Sequence, residues 1–99
     1  MILKIENGKL ELRKDNGTFV RTIVSKDVVD ADLSDDEKLV VVTLEDGKVE
    51  VRKENGTFIR SIGNKDATKA RWNGKDIALT TMKGKIELRK ENGTLIKTM

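Results

Sequence analysis

The stretch KVEVRKENGTFIRSI, residues 48 to 62, reads as a strand, an Asn-Gly turn and a second strand, and it is present three times. KLELRKDNGTFVRTI stands at 9 to 23 and KIELRKENGTLIKTM at 85 to 99. Ten of fifteen positions are identical between the first two copies, repetition of the kind left by recent amplification or by design. The Gly-Lys pairs at Gly8, Gly47 and Gly84 lie 39 and 37 residues apart, a spacing shared by several repeat architectures. Helical repeats are excluded by the period-two apolar pattern (Leu10, Leu12; Val49, Val51; Ile86, Leu88), the many β-branched residues and the Asn-Gly punctuation.

Two registers are open to each hairpin. A two-residue loop sets Arg21 opposite Leu12 and Glu11 opposite Thr22. A three-residue loop, Asp15-Asn16-Gly17 with glycine in the left-handed position, pairs Leu12 with Val20 and Glu11 with Arg21. The second register also pairs Val51 with Ile59, Glu50 with Arg60, Leu88 with Ile96 and Glu87 with Lys97. It matches apolar with apolar and acid with base in every copy, so it is the expected one, each pair contributing only ~0.2 to 1 kcal/mol.

Extended outward, the pattern predicts four strands per full repeat, at 27–33, 39–44, 48–53 and 57–62, then at 67–72, 77–82, 85–90 and 94–99. The two copies differ by two residues in the first turn, LSDDEKL against WNGKD, as befits an exposed loop. The first copy has strands at 2–6, 9–14 and 18–23 only. The strand LVVVTL (39–44) is apolar on both faces, whereas a half-buried antiparallel strand alternates, so the middle sheet is expected to be covered on both sides. Phe19 with Val20, and Phe58 with Ile59, also point to opposite faces.

Composition narrows the chemistry. The chain has 20 basic and 17 acidic residues, no His and no Cys. That removes disulfides, thiolate and imidazole metal sites, and the commonest nucleophiles and bases. The charges interleave and only Phe19, Phe58 and Trp72 are aromatic, which argues against a nucleic-acid surface. No apolar run approaches the ~18 residues of a membrane span, and MILKIENG is unlike a signal peptide. A soluble, cytoplasmic chain without membrane contact is the expectation, with no cofactor and no metal.

The order strand (DVVDADLS), polar turn (DDEK), apolar strand, Asp46-Gly47 turn, strand and closing strand after Asn55-Gly56 resembles the WD40-like repeats of β-propellers. The likeness is one of pattern and length: Arg52-Lys53 stands where the Trp-Asp dipeptide would, and the loops at 25–27 and 64–66 carry no Gly-His. The resemblance implies an all-β fold of four-stranded antiparallel blades, about two and three-quarter per chain, in one domain with repeats at 1–23, 27–62 and 66–99. Three blades do not close a ring. A head-to-tail cyclic homo-oligomer would, a dimer with six blades being preferred to a trimer with nine. A closed barrel, a trefoil-like threefold and a short β-solenoid are the rival folds.

Candidate sites are few. Lys26-Asp27 and Lys65-Asp66 precede the innermost strands, at a rim where the resemblance implies partner binding, but an Asp there also caps its loop by accepting backbone N–H groups. Lys69, Arg71 and Trp72 lie on an inner strand, where a cation and a ring would stack on a peptide or base; Leu33 at the equivalent place argues that Trp72 is core. Asp35-Asp36-Glu37 lacks the ligand spacing of a calcium loop and reads as a solvated turn. Glu11 and Glu50 each have a basic partner, so no acid and base pair for catalysis emerges. The reading is a structural, self-assembling module without catalytic activity; the alternative is a binding module that takes a peptide, nucleic acid or small anion at the central face. An inner surface lined by Lys65, Lys69 and Arg71 alone would favour binding, and one of mixed sign the scaffold. Lys4, expected at the place of Thr43, or of Val42 if the turns differ by one residue, on an innermost edge strand, would guard that edge against further pairing.

Overall fold

A computed structural model describes all 99 residues. Eleven strands form three antiparallel sheets. Sheet 1 is β1 (Ile2–Glu6), β2 (Lys9–Arg13) and β3 (Phe19–Val24) in that order. Sheet 2 follows with β4 (Val28–Leu33), β5 (Leu39–Leu44), β6 (Val49–Lys53) and β7 (Phe58–Ile62). Sheet 3 has β8 (Ala67–Asn73), β9 (Asp76–Thr81), β10 (Ile86–Lys90) and β11 (Leu95–Thr98). Each is a simple meander, and β1, β4 and β8 make the inner contacts between sheets. No helix of the chain is long and apolar enough to cross a membrane.

The sheets stack face to face, with sheet 2 in the middle. Its apolar strand divides between two cores: Val40 and Val42 pack with Leu10, Leu12, Ile23 and Val28, while Val41 packs with Val49, Val51, Ala70, Ile77 and Leu79. All three valines of β5 are fully buried. This is why LVVVTL does not alternate.

The turns contain one success and one correction. Lys14 N donates to Thr18 O at 2.9 Å and Gly17 N to Lys14 O at 2.8 Å, which closes the three-residue loop Asp15-Asn16-Gly17 with Gly17 at φ 90°. The same loop recurs at Gly56 and Gly93. The register expected beyond it is wrong. Arg13 faces Phe19, but Leu12 then faces Arg21 and Glu11 faces Thr22, because the ladder slips by one at Val20. Ile59 and Ile96 are skipped in the same way, so Val51 meets Arg60 and Leu88 meets Lys97. A bulge one pair past the turn releases Val20 and Ile59 to pack against the two cores. Acid and base are matched along the strand instead of across it. Glu11 holds Arg13, and Glu50 holds Arg52.

A second correction concerns Lys4. The β1–β2 connection is the two-residue turn Asn7-Gly8, both at positive φ, whereas Glu45-Asp46-Gly47 and Met82-Lys83-Gly84 are three-residue turns. Lys4 therefore pairs with Glu11 as Val42 pairs with Glu50, and its equivalent is Val42, not Thr43. It stands on the face that looks away from sheet 2, 3.4 Å from Glu6, and does not lie along the strand edge.

Candidate functional site: two rims and the joints between sheets

One device is built three times. The guanidinium Nη1 of Arg13, Arg52 and Arg89 donates to the carbonyl of Gly17, Gly56 and Gly93, each at 2.8 Å. Nε of the same arginines donates to Glu11, Glu50 and Glu87, at 3.2, 3.0 and 3.0 Å. A nearly buried glutamate thus aims an arginine at the turn two residues further on. Asn16, Asn55 and Asn92 complete the turns by accepting from Thr18, Thr57 and Thr94 N–H. Arg13 and Arg52 also lie over the half-exposed rings of Phe19 and Phe58. The hydrogen bond from Arg13, aided by Lys9, holds the Glu11 carboxyl below its usual range. The glutamates serve the turns, and their assigned partners on the neighbouring strand, Arg21 and Arg60, are replaced by Arg13 and Arg52.

The residues singled out as a possible binding rim do not form one surface. Lys26, Asp27, Lys65 and Asp66 are in the loops that enter β4 and β8, while Trp72 is near the far end of β8, roughly 20 Å along the strand. At the first rim Asp27 and Asp66 do not cap with their carboxylates. Their main-chain carbonyls accept instead, from Glu45 N at 2.8 Å and Met82 N at 2.7 Å, which ties each entry loop to the next turn of its own sheet. Asp66 Oδ1 has no hydrogen-bond partner, and neither does Thr43 Oγ1. Lys65 reaches Asp46 at 3.6 Å across the exposed surface. Asp46 titrates below the ordinary carboxylate range because Lys48 N–H donates to it, with Lys65 adding to the effect.

At the opposite rim a cavity of about 760 Å³ opens between sheets 2 and 3, floored by Leu39 and Trp72. Its wall sets Asp35, Asp36, Asp76 and Glu91 against Lys75 and Lys90, an acidic excess that disfavours an anion. Asp36 accepts from Ser34 Oγ at 2.7 Å and Lys38 N at 3.0 Å, which lowers its pKa and makes the acidic cluster a closed turn. No three carboxylates converge as metal ligands.

The inner strands hold the feature the sequence reading missed. Asp30 Oδ2 accepts from Ala70 N at 3.3 Å and from Arg71, and Asp32 Oδ2 accepts from Trp72 N at 2.8 Å. Trp72 Nε1 donates to Asp32 O at 3.1 Å. Two carboxylates on β4 thus cap main-chain amides of β8, which belongs to the next sheet. Asp30 lowers the tendency of Arg71 to lose its proton, raising its pKa. Trp72 is part of the core between sheets 2 and 3 and not a free stacking platform. The signal was available as the alternation in VDADL, with Lys69 and Arg71 standing at the positions equivalent to Asp30 and Asp32.

Asp32→Ala is expected to cost about 2 kcal/mol, since it leaves the part-buried Trp72 amide without its acceptor. Asp32→Asn, which keeps an acceptor oxygen, should recover a good part of the loss in urea denaturation.

The Met1 ammonium donates to Asp15 at 2.6 Å and Glu37 at 3.1 Å, linking the last turn of sheet 1 to the first turn of sheet 2. These bonds raise its pKa above 8.0. A raised pKa means that the folded state holds the proton more tightly, so the contribution is complete below pH 8.0 and lost as pH climbs through the folded value. The depressed carboxyls of Glu11, Asp36 and Asp46 act oppositely, their contribution being present above the ordinary carboxylate pKa and lost as pH falls through the lower folded values. Melting temperature should therefore fall on both sides of a neutral plateau, and acetylation of Met1 should flatten the alkaline limb.

No family model matches the sequence, and no curated protein matches it. Solved structures do. A chain of the mitotic checkpoint complex superposes with a TM-score of 0.81 at 19% identity, covering 98% of this chain and 32% of that one. BamB from Moraxella catarrhalis gives 0.78 at 14% identity, and the Neurospora crassa Pan2 WD40 domain 0.74 at 14%, each again covering 98% of this chain and 32% of the other. The fold is that of WD40-like β-propeller blades, and the chain spans about a third of the length of these solved chains.

Proposed function

We propose that this chain is a non-catalytic structural module whose arc of blades closes head to tail with a second copy of itself, giving a six-bladed ring. One observation carries the reading: the two outer faces carry the two halves of the joint seen between sheets 2 and 3. In the joint between sheets 2 and 3, Arg60 of β7 bonds the main chain and carboxylate of Glu91. The equivalent of Arg60 on the far face of sheet 3 is Lys97, and the equivalent of Glu91 on the outer side of sheet 1 is Asp15. Both are available. The glycines agree: a Cβ at Gly56 or Gly93 would touch Ile23 or Ile62 of the preceding sheet, whereas Gly17 meets nothing within 4 Å. Its counterpart would be Met99 of the next copy. On the far face Ile86, Leu88 and Ile96 repeat Leu10, Leu12 and Val20, and 39% of Ile86 and 43% of Ile96 are in water.

The mixed sign of the inner strands, Asp30 and Asp32 on one and Lys69 and Arg71 on the next, supports a scaffold over an anion-binding channel. The test is a charge reversal. Lys97→Glu is expected to weaken self-association at least tenfold, and Lys97→Glu combined with Asp15→Lys to restore it. Unchanged association in the single variant, measured by sedimentation, would remove this geometry.

A further inference from the structure

We infer that the strip beside β1 and β4 takes an extended acidic segment, with carboxylates at every second residue, as the innermost strand of sheet 1. The inference rests on single-chain geometry and stands apart from ring closure. Sheet 1 has three strands where sheets 2 and 3 have four, and β1 hydrogen-bonds only to β2. The place left open is the one that β4 fills beside β5 and β8 fills beside β9.

The chemistry of the occupant follows from what β4 does for its neighbour. Asp30 and Asp32 reach across to the amides of Ala70 and Trp72. By strand register Ala31 and Leu33 are the equivalents of Ala70 and Trp72, opposite Val42 and Val40 as those are opposite Leu79 and Ile77. No side-chain acceptor in the molecule reaches the amides of Ala31 or Leu33. They need what Asp30 and Asp32 supply to the next sheet: two carboxylates spaced by one residue on an adjacent extended strand.

Register also places them. A segment paired with β1 as β4 pairs with β5 would have its carboxylates opposite Leu3 and Ile5, on the face toward β4, since Leu3 and Ile5 take the positions of Val41 and Thr43. The intervening residues would lie opposite Ile2 and Lys4, on the other face, where β4 itself carries Leu33 and Ala31. Backbone pairing with β1 would provide affinity and the two capped amides the preference for acid. The Lys4 side chain stands on a face and leaves the edge clear.

The probe is a synthetic peptide copying residues 26–34, KDVVDADLS, titrated into the intact 15N-labelled chain. Amide shifts are expected at Ile2–Glu6 and at Ala31 and Leu33. A peptide with Lys in place of the two alternating Asp residues should bind at least about tenfold more weakly. Shifts confined to the far face of sheet 3, equal binding of the two peptides, or no binding would each overturn the inference. So would the same β1 shifts on concentrating the protein alone, which would make a second copy the occupant. Because the readout is a map of residues, its failure is distinct from failure of the ring, which is read as mass.

Discussion

Gly47→Ala is expected to destabilise the chain by about 3 kcal/mol, and Gly84→Ala by only about 1. Both glycines end three-residue turns at positive φ, 92° and 81°, so each substitution forces a side chain into the left-handed region at a cost of ~1 to 2 kcal/mol. What differs is the surroundings. A Cβ on Gly47 would lie 2.7 Å from Lys65 O and 2.9 Å from Lys65 C, whereas one on Gly84 meets nothing within 4 Å. Lys65 is backbone in the loop entering β8, pinned by the Ala67 N to Gly47 O bond of 3.0 Å, so relief requires sheet 3 to move away from sheet 2. Overpacking of that kind adds ~1 to 3 kcal/mol. For a domain of this size the loss lowers Tm by roughly 12 to 24 °C. Calorimetry showing equal melting temperatures for the two variants would contradict the packing of the entry loop on the turn.

Leu79→Ala is the second large effect, at about 3 kcal/mol. Leu79 has no exposure and joins Val41, Val49, Val51 and Ile77 in the core between sheets 2 and 3. Its neighbours are β-branched side chains on strands whose hydrogen-bond ladders restrict collapse into the space, so both the transfer loss and a residual cavity are felt. Leu95→Ala, on an exposed site of the outermost strand, should change stability by less than about 0.5 kcal/mol. The contrast, read as a difference in urea midpoint, tests the two-sided burial of sheet 2.

The strand pattern, the three-residue Asn-Gly loops and the two-sided middle sheet were legible because each rests on local chemistry repeated three times. The four-strand units were legible for the same reason. Cross-strand register was not. Matching Glu11 with Arg21 assumed that an acid seeks its base across the ladder, yet Glu11 finds Arg13 two residues along on the same face. Nothing in the one-dimensional pattern marks Val20 as skipped, since the bulge accompanies its packing against the core between sheets 1 and 2. The Lys4 equivalence falls on the alternative, Val42, for a reason that was visible: Glu6-Asn7-Gly8-Lys9 is one residue shorter than Leu44-Glu45-Asp46-Gly47-Lys48, and Asn-Gly favours the two-residue turn.

The candidate site was less legible. Lys26, Asp27, Lys65 and Asp66 were chosen by recurrence, and recurrence here marks how entry loops are fastened through their carbonyls. Trp72 belongs to the core, as its equivalence with Leu33 implied. Asp30 and Asp32 were overlooked because acids in a strand resemble a solvated face. Their role depends on a neighbouring sheet that no local pattern reveals.

Head-to-tail closure by a second copy is the central claim, and native mass spectrometry over a micromolar concentration series tests it most directly. The account predicts a species of twice the 11.1 kDa chain mass that persists on dilution and is lost in Lys97→Glu. A folded species of 11.1 kDa alone, at every concentration, would contradict it.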